Sequence, residues 1–279
     1  MIPRLIYIEL YKIFRKWRTY IGFIAIGVLV PLIHFSFYTS SGEGSKMALR
    51  SLGEAFMFSG NLMNGYFVTY LILNSLFVHV PFLIVLVGGD LLAGEATGGT
   101  YRMLVIRPAS RFQILTSKFL AGIIYTFSLI LFLAIMSLGL GLLIFGGGVL
   151  AVLSDKIIIF AENDILWRFF GAFSFAVLSM SVITSMAFFF SSLVENAIGP
   201  IVTTMAILII FFILSVIPID MLQGLKPYLF TTYLPGWLLF FNDPIDTANL
   251  AKSAAVLLGH IAVFYTAALI IFRRKDILS

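Results

Sequence analysis

Long apolar runs alternate with short polar segments along most of the chain. Six of these runs contain no Asp, Glu, Lys or Arg and are at least 18 residues long, which is enough for an α-helix to cross the hydrocarbon core of a bilayer. The pattern therefore predicts an all-α integral membrane protein whose 279 residues form a single domain with six transmembrane helices. The predicted spans are Tyr20–Phe37, Tyr66–Val87, Phe119–Phe145, Phe169–Leu193, Pro200–Ile217 and Ser253–Phe272.

The first segment, Met1–Arg18, has a different pattern, because apolar residues recur at helical spacing and basic residues fill the other side. This predicts an amphipathic helix that lies in the anionic membrane interface. Its apolar face consists of Ile6, Leu10, Ile13, Phe14 and Trp17, and the residues expected at the interface are Arg4, Lys12, Arg15, Lys16 and Trp17. Glu9 is expected to pair only weakly with lysines of its own helix.

The polar segment Gly88–Lys118 lies between the second and third predicted spans. Glycines interrupt it after Thr97, Thr100 can N-cap a short helix over Tyr101–Ile106, and Pro108 ends that helix. The short helix has an apolar and a basic face, so it can lie on lipid or dock into a protein groove. Asp90, at the end of the second span, is interpreted as a solvated boundary charge.

The same segment resembles a family. The order Glu95, Gly99-Thr100, Arg107-Pro108, Arg111 and Lys118 is similar to the loop that joins the second and third spans of type-2 ABC transporter permeases. The run FFFSSLVENAIGPIV at Phe188–Val202 is similar to their turn between the fourth and fifth spans, although this turn lacks Lys and Arg. The TYLPGW sequence at Thr232–Trp237 resembles their outer segment more loosely.

The resemblance implies that the chain is the non-catalytic permease subunit of an ATP-driven exporter in a bacterial cytoplasmic membrane. Its implied partners are an ATP-binding-cassette ATPase subunit, a second permease and membrane lipid, and ATP and Mg²⁺ are bound by the ATPase, so no cofactor is expected on this chain. The loop then forms a cytoplasmic coupling helix between spans 2 and 3 that contacts the ATPase. The residues implied in ATPase coupling are Glu95, Gly99, Thr100, Arg102, Arg107, Pro108 and Arg111.

Composition and charge are consistent with a membrane protein. The chain is 61% hydrophobic and only 11% charged, whereas soluble domains average about 25% charged residues. The net charge of +5 does not indicate nucleic-acid binding, because the basic residues lie at the ends of the spans. With the N-terminus inside, the inner segments hold 12 Lys and Arg and the outer loops hold 6, which favours cytoplasmic termini.

The chemistry that is missing narrows the function. No phosphate-binding G-x-x-x-x-G-K-[ST] motif and no cysteine occur, and His34, His79 and His260 are scattered over three spans. An ion- or proton-coupled secondary transporter usually needs charged groups within its spans, and a membrane-embedded enzyme needs His, Asp or Glu clustered at one depth. Both classes remain alternatives to the ABC permease, and the transported substrate is not indicated.

Overall fold

The computed structural model describes residues 2–40, 63–98, 109–153, 157–217 and 224–274. In this part of the chain helices predominate, as the apolar pattern predicts. In chain order the α-helices are α1 Ile2–Arg15, α2 Trp17–Ser40, α3 Gly65–Leu76, α4 Val80–Gly88, α5 Asp90–Thr97, α6 Arg111–Ala134, α7 Leu140–Phe145, α8 Leu166–Leu193, α9 Ile198–Val216 and α10 Thr247–Arg274.

Five helices are long and apolar enough to cross a membrane, which makes the chain a multi-pass membrane protein. The third of the six predicted spans is longer than the sequence suggested. Its helix begins at Arg111 rather than Phe119 and continues to Phe145 through the π-helical turn Ile135–Gly139. The five helices are Trp17–Thr39, Arg111–Phe145, Glu162–Leu193, Ile198–Ser215 and Thr247–Arg274.

The predicted span Tyr66–Val87 is divided into α3 and α4, which are bent by 55° relative to each other. The break falls just before Pro81, which lies in the first turn of α4. Proline lacks a backbone N–H and its ring clashes with the preceding turn, so it ends or kinks a helix. If the bent pair is counted as one span, the described residues contain six candidate spans.

Helix α8 is the centre of the bundle. In its most apolar window 72% of the residues are buried, whereas the corresponding windows of the other four long helices are 17–28% buried. It packs against α4, α5, α6, α9 and α10. The 3₁₀ helix Leu234–Phe241 also packs on α8, and Trp237 and Phe241 are buried there.

A short β-hairpin lies between the third and fourth predicted spans, where the apolar pattern predicted no regular element. Strand β1, Leu150–Leu153, pairs antiparallel with β2, Ile157–Phe160, so the chain is not purely α-helical. A 3₁₀ turn at Glu162–Asp164 leads into α8. Alternate residues of β2 are buried, as expected for a strand with one face on the protein core. Two further 3₁₀ turns, Lys226–Tyr228 and Phe230–Thr232, precede Leu234–Phe241.

Two ends of the bundle can be distinguished by their contacts. We call the end that contains α1, α5 and the last turn of α10 the ionic end. The last turn of α10 lies there because Arg111, at the start of α6, donates hydrogen bonds to the carbonyls of Phe272 and Arg273 at 3.3 and 2.9 Å. We call the opposite end, with the β1–β2 hairpin, the hairpin end. The N-terminal helix and the end of the last helix therefore lie at the same end of the molecule.

Candidate functional site

A cluster of four charged side chains joins three helices at the ionic end. The Lys118 Nζ atom lies 2.6 Å from a carboxylate oxygen of Glu9 and 2.9 Å from one of Glu95. The Lys12 Nζ atom lies 2.7 Å from Glu95 and 3.0 Å from Glu9. Each carboxylate thus accepts hydrogen bonds from both lysines, and the cluster binds α1 to α5 and α6. We call these four residues the ionic cluster.

Three of the four side chains of the ionic cluster are largely shielded from water. The side chain of Lys118 is 1% exposed, and those of Glu9 and Glu95 are 8% and 10% exposed. Burial of Lys12 opposes its charged form, but the hydrogen bond to Glu95 and the negative charges of Glu9 and Glu95 outweigh this effect and raise the pKa of Lys12 above its ordinary value. Two positive and two negative charges balance, so removing any one of them would leave an uncompensated buried charge.

Asp90 forms a second ionic contact at the same end. Its carboxylate lies 2.6 Å from the Lys16 Nζ atom and 3.4 Å from an Nη atom of Arg18. The interpretation of Asp90 as a solvated boundary charge is therefore wrong, because the residue is buried and paired with the junction between α1 and α2. The first turn of α5 is thereby fixed to the N-terminal region of the chain.

Helix α5 is capped by a side chain from another helix. Its N-cap residue, Gly89, has no side chain to accept the free N–H groups of the first turn. The Ser191 hydroxyl of α8 replaces that cap, because it accepts hydrogen bonds from the N–H groups of Leu92 and Ala93 at 3.1 and 2.9 Å and donates one to the carbonyl of Gly89 at 2.7 Å.

The far end of α5 is fixed to the turn before α9. The Thr97 hydroxyl donates to the carbonyl of Glu195 at 3.0 Å and accepts from the N–H of Ala197 at 3.2 Å. Two segments that the charge pattern placed on the same side of the membrane are thus in direct contact. Helix α5 contacts α1, α6, α8 and the turn before α9, so it cannot shift without moving at least one of them.

Residues 22–278 match the family model described as "Protein of unknown function (DUF2705)". The chain belongs to this family. It is also 33% identical over 117 residues to the "Uncharacterized protein YhcI" of Bacillus subtilis (strain 168). That alignment covers 40% of this chain and 37% of the relative, so the DUF2705 chain spans well under half of the relative's length.

Of the residues implied in ATPase coupling, the structure describes Glu95 and Arg111. Both have partners within the chain, because Glu95 belongs to the ionic cluster and Arg111 binds the last carbonyls of α10. The remaining implied residues and the predicted helix Tyr101–Ile106 lie outside the described residues. They are Gly99, Thr100, Arg102, Arg107 and Pro108.

The N-terminal helix is amphipathic, as predicted, but its apolar face packs on protein. Ile13 is buried in the core, and Leu10 and Phe14 pack against it. The ring of Phe14 contacts those of Phe23 and Tyr125. Of the residues expected at the membrane interface, Lys12 and Lys16 are ion-paired within the chain, while Arg4, Arg15 and Trp17 are exposed.

The three histidines do not come together. Each lies in a separate helical region with its Nδ1 atom 2.8–3.0 Å from the carbonyl four residues earlier, which is a local contact. His34 is fully buried and stacks on Phe145. Within the described ranges, no group of three or more His, Asp or Glu side chains could bind a metal ion.

Sequence reasoning missed the ionic cluster, although a signal was present. Glu9 lies on the apolar face of α1, four residues before Ile13, and Lys118 lies on the apolar face of α6, four residues after Ile114. A charge in the middle of a buried helical face needs a partner of opposite sign. Two such charges of opposite sign in different helices indicate a buried contact between those helices.

Proposed function

We propose that this DUF2705 protein is the permease subunit of an ATP-driven ABC transporter. It pairs with a second permease, and two ATPase subunits bind at the ionic end, which faces the bacterial cytoplasm. All six predicted spans cross the membrane, with α3 and α4 together forming the second. The resemblance of Gly88–Lys118 to the coupling loop of type-2 permeases motivates this proposal, and export is the implied direction.

The observation that best supports the proposal is the buried Glu95 carboxylate, which binds lysines of both α1 and α6. Helices α5 and α6 flank the region in which the coupling helix is predicted. A force applied to that region by an ATPase would act on α5, and the ionic cluster would transmit it to α1 and α6. Ser191 would transmit it to the central helix α8.

The distribution of buried charges gives no support to a secondary transporter. In the described residues the buried Asp, Glu, Lys and Arg are Glu9, Asp90, Lys118 and Arg168. The first three belong to the ionic end. Arg168 belongs to the hairpin end, where it pairs with Asp164 at 2.8 Å and donates to the carbonyls of Phe240 and Asn242.

The experiment that tests this function co-expresses the tagged chain with each ATP-binding-cassette ATPase subunit of the same organism in turn and identifies the one that co-purifies with it. Arg102→Glu and Arg107→Glu together should abolish co-purification and stimulated ATP hydrolysis while expression stays normal. Lys226→Glu with Lys252→Glu, at the opposite end, makes the same change in charge and should preserve both. If the arginine reversals leave the complex and its hydrolysis intact, the predicted helix does not couple to an ATPase.

Glu95 is not suitable for this charge reversal. Its side chain is buried between two lysines, so Glu95→Arg would disrupt the fold itself. Sidedness is tested separately with single cysteines, because the chain has none. Ala161→Cys at the hairpin end should react with an impermeant thiol reagent on intact cells, and Arg274→Cys should react only after permeabilisation.

A further inference from the structure

A stripe of exposed apolar residues follows one face of α2. They recur at spacings of three and four along the first span, so they form one continuous helical face. In a membrane protein such a face contacts lipid acyl chains. The stripe is formed by Ile21, Ile24, Val28, Leu32 and Phe35, and Trp17 lies at its ionic end.

Trp17 marks the level at which this stripe leaves the hydrocarbon. Its side chain is 72% exposed and Tyr20 beside it is 41% exposed. Tryptophan and tyrosine concentrate at membrane–water interfaces, where an apolar ring and a polar N–H or O–H can both be satisfied. The level of Trp17 is therefore the level of the lipid headgroups.

Three cations flank Trp17 in the sequence at the junction of α1 and α2. Lys16 and Arg18 are about half exposed and share a single carboxylate, that of Asp90. Arg15 is exposed, and no ion pair joins it to any residue that the structure describes. The junction thus has more positive than negative charge, in contrast to the ionic cluster, where two lysines face two carboxylates.

We infer that this junction is a binding site for the headgroup of an anionic phospholipid. The phosphate lies against Arg15, Lys16 and Arg18, Trp17 packs beside the glycerol region, and the acyl chains follow the stripe on α2. Lipid is the partner that fits, because the cations lie directly at the end of an acyl-chain surface. A protein partner would not require that surface.

The basic residues of the N-terminal region have different partners. Lys12 is ion-paired within the protein, and Lys16 is shared between Asp90 and the headgroup. The guanidinium groups of Arg15 and Arg18 bind the phosphate, since their planar donors match its oxygens. The site selects by net charge, because the cationic group of a zwitterionic headgroup is repelled by the same arginines. Neutral headgroups with the same acyl chains should bind the stripe but gain little from the cations.

The test measures quenching of Trp17 fluorescence by brominated lipids in reconstituted vesicles. Brominated phosphatidylglycerol is compared with brominated phosphatidylcholine at equal mole fraction, and the signal of Trp17 is isolated by subtracting that of Trp17→Phe. The relative affinity near Trp17 should favour the anionic lipid. Arg15→Gln with Arg18→Gln should reduce that preference about 25-fold, because each basic group near an anionic surface contributes about fivefold in affinity and the two factors multiply.

The matched control is Lys226→Gln with Lys252→Gln, which removes the same charge at the hairpin end and should leave the preference unchanged. Equal quenching by both lipids in the unmodified chain would overturn the inference. A lipid preference that survives in the double arginine variant would overturn it too. If that variant instead loses a protein partner while its lipid preference is intact, the junction docks protein and the inference is wrong.

Discussion

The two ends of the bundle are stabilised by different interactions. At the ionic end, α1, α5 and α6 meet through charged side chains, and the ionic cluster joins helices that are far apart in sequence. At the hairpin end, close backbone contacts add to the side-chain contacts. The N–H of Gly65 donates to the carbonyl of Gly146 at 2.9 Å, and a Cβ atom at Gly65 would overlap the backbone of Gly141.

Buried polar side chains at the hairpin end form hydrogen bonds with the backbone. At the hairpin end, Asn64 caps α3 through its Oδ1 atom, and its Nδ2 atom donates to the carbonyl of Val149. The Thr69 hydroxyl donates to the carbonyl of Ser137, which lies in the π-helical turn. Such a turn shifts the backbone ladder by one residue and leaves carbonyls free for other donors. Close backbone packing and hydrogen bonds to the backbone therefore hold these elements of the hairpin end together.

The difference has a mechanical consequence. Backbone contacts between glycines tolerate almost no displacement, because any side chain or shift produces overlap. Lysine ammonium groups can move between carboxylate oxygens without losing their charge partners. We therefore expect the ionic end to rearrange more readily than the hairpin end, and the proposed permease function would require such a rearrangement.

The largest expected effect comes from Lys118→Met. It leaves Glu9 and Glu95 buried with only Lys12 to balance them, and breaking a buried ionic contact from one side costs about 3–5 kcal/mol. The free energy of unfolding in mixed detergent micelles measures this cost. Adding Glu95→Gln restores the charge balance and should recover at least half of the loss. If Lys118→Met alone were as stable as the unmodified chain, the ionic cluster would not stabilise the fold.

At the hairpin end, Gly65→Ala should cost about 1–3 kcal/mol, because the added methyl group overlaps the backbone of Gly141. Gly139→Ala is the matched control, since a Cβ atom there meets nothing within 4 Å. It should stay within about 1 kcal/mol of the unmodified chain in the same unfolding assay. Equal effects of the two substitutions would mean that shape does not determine the packing of this end.

A smaller effect is expected when the cap of α5 is removed. Ser191→Ala leaves the N–H groups of Leu92 and Ala93 without an acceptor, which should cost about 1–2 kcal/mol. The adjacent Ser192 is the control, because its buried hydroxyl donates only to the carbonyl of Phe189 in its own helix. Hydrogen exchange at α5 should increase in the first variant alone. Unchanged exchange there would show that Ser191 does not act as the cap.

The smallest effect concerns a carboxylate of the hairpin end. Hydrogen bonds from the backbone and side chain of Asn249 lower the pKa of Asp246 below its ordinary value. The stabilisation is therefore present above pH 3.8 and is lost as the pH falls through the lowered pKa. Asp246→Asn keeps an acceptor for the N–H of Asn249 but removes the charge. The melting temperature of this variant should therefore lack the decrease that protonation of Asp246 causes at low pH. Parallel pH profiles for the two proteins would contradict the assignment.

The sequence by itself determined where the apolar helices are. Uncharged runs of membrane length predicted six spans, and five long apolar helices lie at five of them. The bounds of α8 and α9 lie close to those of the predicted fourth and fifth spans, whereas α10 begins at Thr247, before the predicted start at Ser253. The helical spacing of apolar residues predicted α1. These features are local, because hydrophobic period and run length depend only on neighbouring residues.

Only the tertiary structure decided which charges are structural. Glu9 and Lys118 are 109 positions apart and Ser191 is 98 positions from Ala93, so no local pattern specifies their contacts. The short strands β1 and β2 also depend on packing, since four-residue strands have little intrinsic stability. The apolar face of α1 could have met either lipid or protein with the same sequence. In the structure it packs on protein, where Lys118 of α6 is a partner for Glu9, and that contact exists only after the helices have assembled.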